Sequence, residues 1–84
     1  MKVLIAGGCG FIGTNLSIFL KEKKIKVVSI DNLYRHGSKL NEQKLSKFKI
    51  KNHRIDIKNL HKQKIGKFDF IIDCCAEPSV EISK

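Results

Sequence analysis

The chain has 84 residues, 17 Lys plus Arg against 8 Asp plus Glu, a formal charge of +9, 42% hydrophobic residues and one proline. That composition is globular, which excludes collagenous and disordered classes, and the length excludes a second domain, so 1–84 is read as one unit. A chain this short buries only about 60–65% of its unfolded surface, and three cysteines make no disulfide framework, so a marginal core is expected.

A positive balance of this size ordinarily suggests an anionic partner, because basic residues displace counterions from phosphates. Here every basic residue except Arg35 and Arg54 is lysine, spread from Lys2 to Lys84 with no run longer than Lys23-Lys24. Base readout and bidentate phosphate binding favour arginine. The lysines are therefore read as a solvated surface, with no nucleic-acid partner. No apolar run approaches the roughly 20 residues that span a bilayer, and the glycine-interrupted start is followed by no signal-cleavage pattern. No membrane partner is expected, and a cytoplasmic location with reduced thiols is.

In chain order, residues 2–6 form a continuous apolar run of the kind found in a strand buried on both faces. Ile12, Leu16, Phe19 and Leu20 then recur at helical spacing, which predicts a helix over 11–23 with these four on its buried stripe. Residues 27–30 are β-branched apart from Ser29 and end at Asp31, so the segments read as a βαβ unit with a parallel sheet. A loop follows over 31–38, then a short helix over 39–47 through Leu40 and Leu45. A third strand is predicted at 50–55, a short helix near 59–64, and a fourth strand at 68–74. A last helix begins at 78–84, with Pro78 in its first turn.

The segment with chemical content is Gly7-Gly8-Cys9-Gly10-Phe11-Ile12-Gly13, between the first strand and the first helix. Gly8, Gly10 and Gly13 satisfy G-x-G-x-x-G, whereas Gly7, Gly10 and Gly13 satisfy G-x-x-G-x-x-G; the string does not choose between dinucleotide-binding families. Either way, glycine permits a tight strand-to-helix turn, close approach of a pyrophosphate, and close packing of helix on strand. The pyrophosphate then meets unpaired N–H groups at the positive end of the helix dipole. Glycines alone also fit an ordinary turn. Asp31 makes the difference, because a carboxylate ending the second strand can accept from both adenosine-ribose hydroxyls and would repel a 2′-phosphate. NAD is favoured over NADP, with Arg35 the one nearby feature that could soften the preference.

These residues resemble the extended short-chain dehydrogenase/reductases, specifically the NAD-dependent nucleotide-sugar epimerases and dehydratases. The resemblance spans nearly the whole chain and rests on the glycine segment, Asp31-Asn32-Leu33, Asp56-Ile57 and Cys75-Ala76-Glu77-Pro78-Ser79-Val80. With the run from Tyr34 to Ser38 added, the chain looks most like the CDP-paratose 2-epimerase branch. The resemblance implies the amino-terminal half of a Rossmann-type α/β fold with strand order 3-2-1-4. It also implies that Gly7, Gly10, Phe11, Ile12 and Gly13 line the pyrophosphate turn, Asp31 and Asn32 meet the adenosine ribose, and Asp56 with Ile57 the adenine. Cys74, Cys75 and Ala76, with Glu77, would flank the nicotinamide-ribose side. A nucleotide-sugar substrate is implied for the intact enzyme.

Departures from the family pattern are as informative. Ala6 stands for its usual threonine, Cys75 for an alanine, and Lys24 where a glycine commonly ends the first helix. A left-handed Lys24 would carry strain of about 1 kcal/mol. The family's Tyr-x-x-x-Lys pair has no counterpart, because Tyr34 is followed at i+4 by Ser38. No catalytic residue is assigned, and the segment is read as truncated before the catalytic part and unable to turn over alone. A non-catalytic dinucleotide-binding or sensor module, or a small basic nucleic-acid-binding domain, are the alternative readings. Cys74 and Cys75 are read as small buried hydrophobes, His36, His53 and His61 as surface residues, and no metal site is expected. The fourth strand is expected to leave an apolar edge open to association.

Overall fold

The computed structural model describes residues 1–34, 36–56, 58–59 and 66–75. Arg35, Ile57, His61, Ala76, most of the helix predicted near 59–64 and the segment 78–84 lie outside the described residues. Strand β1 (Lys2–Ala6) is the centre of the fold, as its unbroken apolar sequence predicts: Val3, Leu4, Ile5 and Ala6 are all buried. It pairs in parallel with β2 (Lys26–Ile30) on one side and β4 (Phe70–Asp73) on the other, and β2 pairs in parallel with β3 (Lys51–His53). The sheet order is β3-β2-β1-β4, the order of the first half of a Rossmann sheet.

Strand alternation divides the core between the two faces. Val3, Ile5 and Val27 gather with Leu45 and Ile50 on one side, while Leu4, Ala6 and Ile30 gather on the other with half-buried Val28, Ile55, Phe68 and Cys75. Helices α1 (Phe11–Glu22) and α2 (Ser38–Lys47) contribute to the first cluster, through Leu16 and Leu20 of α1 and Leu45 of α2.

The helices lie where predicted, but their buried faces differ from the predicted stripe. On α1, Ile12 and Phe19 are exposed, and Gly13, Thr14 and Ser17 are buried instead. A Cβ on Gly13 would stand 2.1 Å from the Gly7 carbonyl oxygen, so this helix approaches the turn too closely for a bulky side chain to intervene. Small residues therefore face the sheet, and Leu16 and Leu20 supply the apolar contact half-buried. On α2, Leu45 is fully buried whereas Leu40 is exposed.

Both helices close in the same way. Ile25 N–H donates to Leu20 O (3.1 Å) and Lys24 N–H to Lys21 O (2.9 Å); Ile50 N–H donates to Leu45 O (3.0 Å) and Lys49 N–H to Ser46 O (2.9 Å). These are Schellman pairs, and the left-handed position in each is a lysine, Lys24 at φ 64° and Lys49 at φ 61°. The second closure takes Ile50 out of the predicted third strand, which begins one residue later. β4 is likewise shorter than its apolar run.

Candidate coenzyme site

The turn between β1 and α1 is held by backbone and side-chain hydrogen bonds together. Gly7 N–H donates to Ile30 O at 2.8 Å, Gly10 N–H to Gly7 O at 3.1 Å, and Thr14 N–H to Gly10 O at 2.9 Å, while Thr14 Oγ1 donates to Gly8 O at 3.0 Å. Gly7 has φ 78°, and a Cβ there would lie 2.9 Å from the Cys74 carbonyl carbon, so glycine is required twice over. Gly8 is held to glycine by a neighbour, since its Cβ would overlap Ser29 Oγ. Gly10, the α1 N-cap, is the least confined: its Cβ would meet only ordinary contact with Gly7 O, at 3.4 Å.

This turn opens the start of α1 to ligand. The N–H groups of Phe11, Ile12 and Gly13 have no acceptor within the helix, no side chain caps it, and no acidic residue occupies its first turn. Phe11 and Ile12 are exposed, so the positive end of the dipole faces open space.

Asp31 follows the carboxyl end of β2 and reaches back to the turn. Its Oδ2 accepts the Cys9 N–H at 3.0 Å and its Oδ1 the Leu33 N–H at 2.8 Å, which leaves further lone pairs on both oxygens. Asn32 and Asp56, predicted from separate segments, come together: Asn32 Nδ2 donates to Asp56 Oδ2 at 3.3 Å, and Asp56 Oδ1 accepts Lys58 N–H at 2.9 Å. Across the turn, Cys74 lies against Gly7 and donates its N–H to Ala6 O at 2.7 Å. Ile57 and Ala76, the remaining predicted site residues, lie outside the described residues.

A cleft of about 650 Å³ opens beside the turn, lined by Cys9, Gly10, Phe11, Tyr34, His36, Ser38 and Asn41. Ser38 Oγ is buried with no hydrogen-bond partner among the described residues. Turn, open helix start and carboxylate together fit a dinucleotide's phosphates and ribose by the chemistry of their donors and acceptors, positive at the phosphate end and acidic at the sugar end.

Burial and neighbouring carboxylates disfavour the thiolate form of all three cysteines in and around this site. Burial, then the Asp31 carboxylate, pushes the Cys9 thiol up to about 12; burial, then Asp73, pushes Cys75 up to about 12 and raises Cys74 as well. Cys74 and Cys75 are half-buried rather than buried as predicted. His53 is also half-buried rather than on the surface, and its pKa is lowered by burial and then by Lys51. Among the described residues no three His, Cys, Asp or Glu side chains gather as metal ligands, and no helix is long and apolar enough to cross a membrane.

Sequence reading missed the polar support behind the turn. Ser29 Oγ donates to Asn52 Oδ1 at 2.7 Å, Asn52 Nδ2 donates to Glu42 Oε2 at 2.9 Å, and Asn41 Nδ2 donates to Cys9 O at 2.8 Å. One signal was available, a lone serine inside the β-branched run of β2.

Comparison with known proteins agrees with this geometry. Over 38 residues the chain is 50% identical to CDP-paratose 2-epimerase of Salmonella typhi, a stretch covering 45% of this chain and 11% of that protein. The chain thus matches only about a tenth of that relative's length. The family model described as NAD dependent epimerase/dehydratase matches residues 3–84, and the chain belongs to that family.

Proposed function

We propose that this chain supplies the adenosine and pyrophosphate half of an NAD site in a nucleotide-sugar epimerase or dehydratase. The observation that carries the reading is the Cys9 N–H to Asp31 Oδ2 hydrogen bond, which ties the ribose-binding carboxylate to the phosphate-binding turn. In this reading the N–H groups of Phe11, Ile12 and Gly13 receive the pyrophosphate, Gly7 lets the turn close against Cys74, and Gly10 leaves room for the phosphates. Asp31 accepts from the ribose hydroxyls with Asn32 beside it, and Asp56, oriented by Asn32, meets the adenine amino edge together with Ile57. Cys74, Cys75 and Ala76 border the nicotinamide side. When bound, NAD supplies an acceptor for the hydride leaving a sugar carbinol. Tyr34, with Ser38 at i+4, is given no proton-transfer role.

The similarity to CDP-paratose 2-epimerase supports a nucleotide-sugar substrate for the whole enzyme. Titration calorimetry of the purified chain with NAD and NADP tests the coenzyme reading. NAD is expected to bind more tightly, and Asp31→Ala to weaken NAD about tenfold or more, the worth of hydrogen bonds to a charged group, with a smaller effect on NADP. Equal losses for the two coenzymes, or no binding of either, would defeat the reading.

A further inference from the structure

The polar groups behind the turn form a closed ring. From the glycine turn, Cys9 N–H donates to the Asp31 carboxylate at 3.0 Å. The Asp31 carbonyl accepts from Asn52 Nδ2 at 3.2 Å, and the same nitrogen donates to Glu42 Oε2 at 2.9 Å. The neighbour of Glu42 on α2, Asn41, returns to the turn by donating to Cys9 O at 2.8 Å. The glycine turn, Asp31 just beyond β2, β3 and α2 are thereby tied together.

Asn52 is the node. Its two N–H groups face two acceptors and its Oδ1 faces the Ser29 hydroxyl, so only one orientation of the carboxamide satisfies all three contacts. Strand pairing puts it there, since Ser29 and Asn52 are register partners of β2 and β3. Ser29 in turn stands where a Cβ of Gly8 would be. Glu42 is held on its other side by Arg54, whose Nη2 lies 2.9 Å from Oε1 and whose Nε lies 3.2 Å from Oε2.

We propose that Asn52, oriented by Glu42 and Arg54, is a positioning residue for the coenzyme, fixing Asp31 at the distance from the glycine turn that lets one dinucleotide engage both. This rests on the NAD reading above. Asn52 touches no coenzyme atom in this scheme; it acts through the Asp31 main chain. The near-isosteric change to Asp is therefore severe, because it turns a donor into an acceptor facing a carbonyl and a carboxylate.

The test is a double-mutant cycle on NAD affinity, with circular dichroism melts confirming that each variant is folded at the assay temperature. Asn52→Asp is expected to weaken NAD about tenfold in the wild-type background and less than about twofold when Asp31→Ala is already present, because its effect passes through Asp31. Adding Glu42→Gln to Asn52→Asp supplies an amide donor opposite the new carboxylate, and is expected to raise the melting temperature of Asn52→Asp without restoring NAD affinity, because the Asp31 carbonyl still lacks its donor. Glu42→Gln alone, a milder change near the surface, is expected to weaken NAD severalfold while leaving the fold intact. Equal losses in both Asp31 backgrounds, a folded Asn52→Asp chain that binds like wild type, or a Glu42→Gln chain unaffected in NAD affinity would overturn the positioning role. If wild type itself binds no NAD, the coenzyme reading fails and takes this proposal with it. That outcome is distinct from wild type binding and the cycle showing no coupling.

Discussion

At the scale of single residues, the turn combines crowding with chemical quiet. Gly7 and Gly13 are fixed by close approach of backbone, and Cys9 between them is fully buried with its main chain used twice, by Asp31 and by Asn41. The Cys9 side chain packs as a small hydrophobe beside a carboxylate, so its thiolate is disfavoured by both burial and charge. A thiol moved from 9.0 to about 12 holds about a thousandfold less thiolate at pH 8 than an ordinary one. Iodoacetamide at pH 8, read by peptide mass spectrometry, is therefore expected to alkylate Cys9 at least about a hundredfold more slowly in the native chain than in the chain unfolded in guanidinium. Comparable rates would show the thiol open and ionised. Folding favours the protonated thiol, so its contribution is complete below about pH 9 and is lost as pH rises toward 12. Replacing Cys9 by alanine is expected to flatten that alkaline fall in melting temperature.

At the scale of elements, what could be read in advance was whatever had a strong local cause. β1 and β2 are apolar runs with polar ends, Asp31 sits at the strand end where a carboxylate is useful, and the glycines follow from close backbone approach. The faces of the helices were not legible, because helical spacing treats Ile12 and Phe19 as equivalent to Leu16 and Leu20. Which side turns inward is decided by the distance between α1 and the turn, a tertiary quantity. The same holds for Asn52 and Glu42, each an ordinary polar residue until β3 pairs with β2 and α2 lies alongside. The helix ends were partly legible. Lys24 stands at the position predicted to be strained, and Lys49 repeats it at the end of α2. Each side chain is exposed, while Ile25 and Ile50 beyond them pack into the core, so the backbone shape is retained for the isoleucines. Lys24→Gly and Lys49→Gly are each expected to stabilise the chain by about 1 kcal/mol, with additive effects because they end different helices. For a domain of this size that is a rise of about 4–8 °C in Tm per substitution by circular dichroism. Unchanged or lowered melting temperatures would mean that the left-handed positions carry no strain.

At the scale of the molecule, the two edges of the sheet differ. β3 is short and polar, Lys51-Asn52-His53, with α2 beside it and its asparagine tied to Glu42. β4 is apolar, and among the described residues it pairs only with β1, leaving Phe70 56% and Ile71 57% exposed on opposite faces of the strand. A parallel sheet is normally covered on both faces, so this combination of open edge and bare side chains invites association. The net charge of +9 works against it, since like-charged chains repel over about 10 Å at 0.1 M salt and over only about 3 Å at 1 M. The chain is therefore expected to be monomeric when dilute at low salt and to associate as concentration and salt rise together, the opposite of an assembly held by ion pairs. Ile71→Lys places a charge on the exposed side of β4 without disturbing a buried contact, and is expected to suppress association at high salt while leaving NAD affinity unchanged. Sedimentation velocity across a salt series separates the possibilities. Association that weakens with salt, or persists unchanged in Ile71→Lys, would place the contact elsewhere than β4.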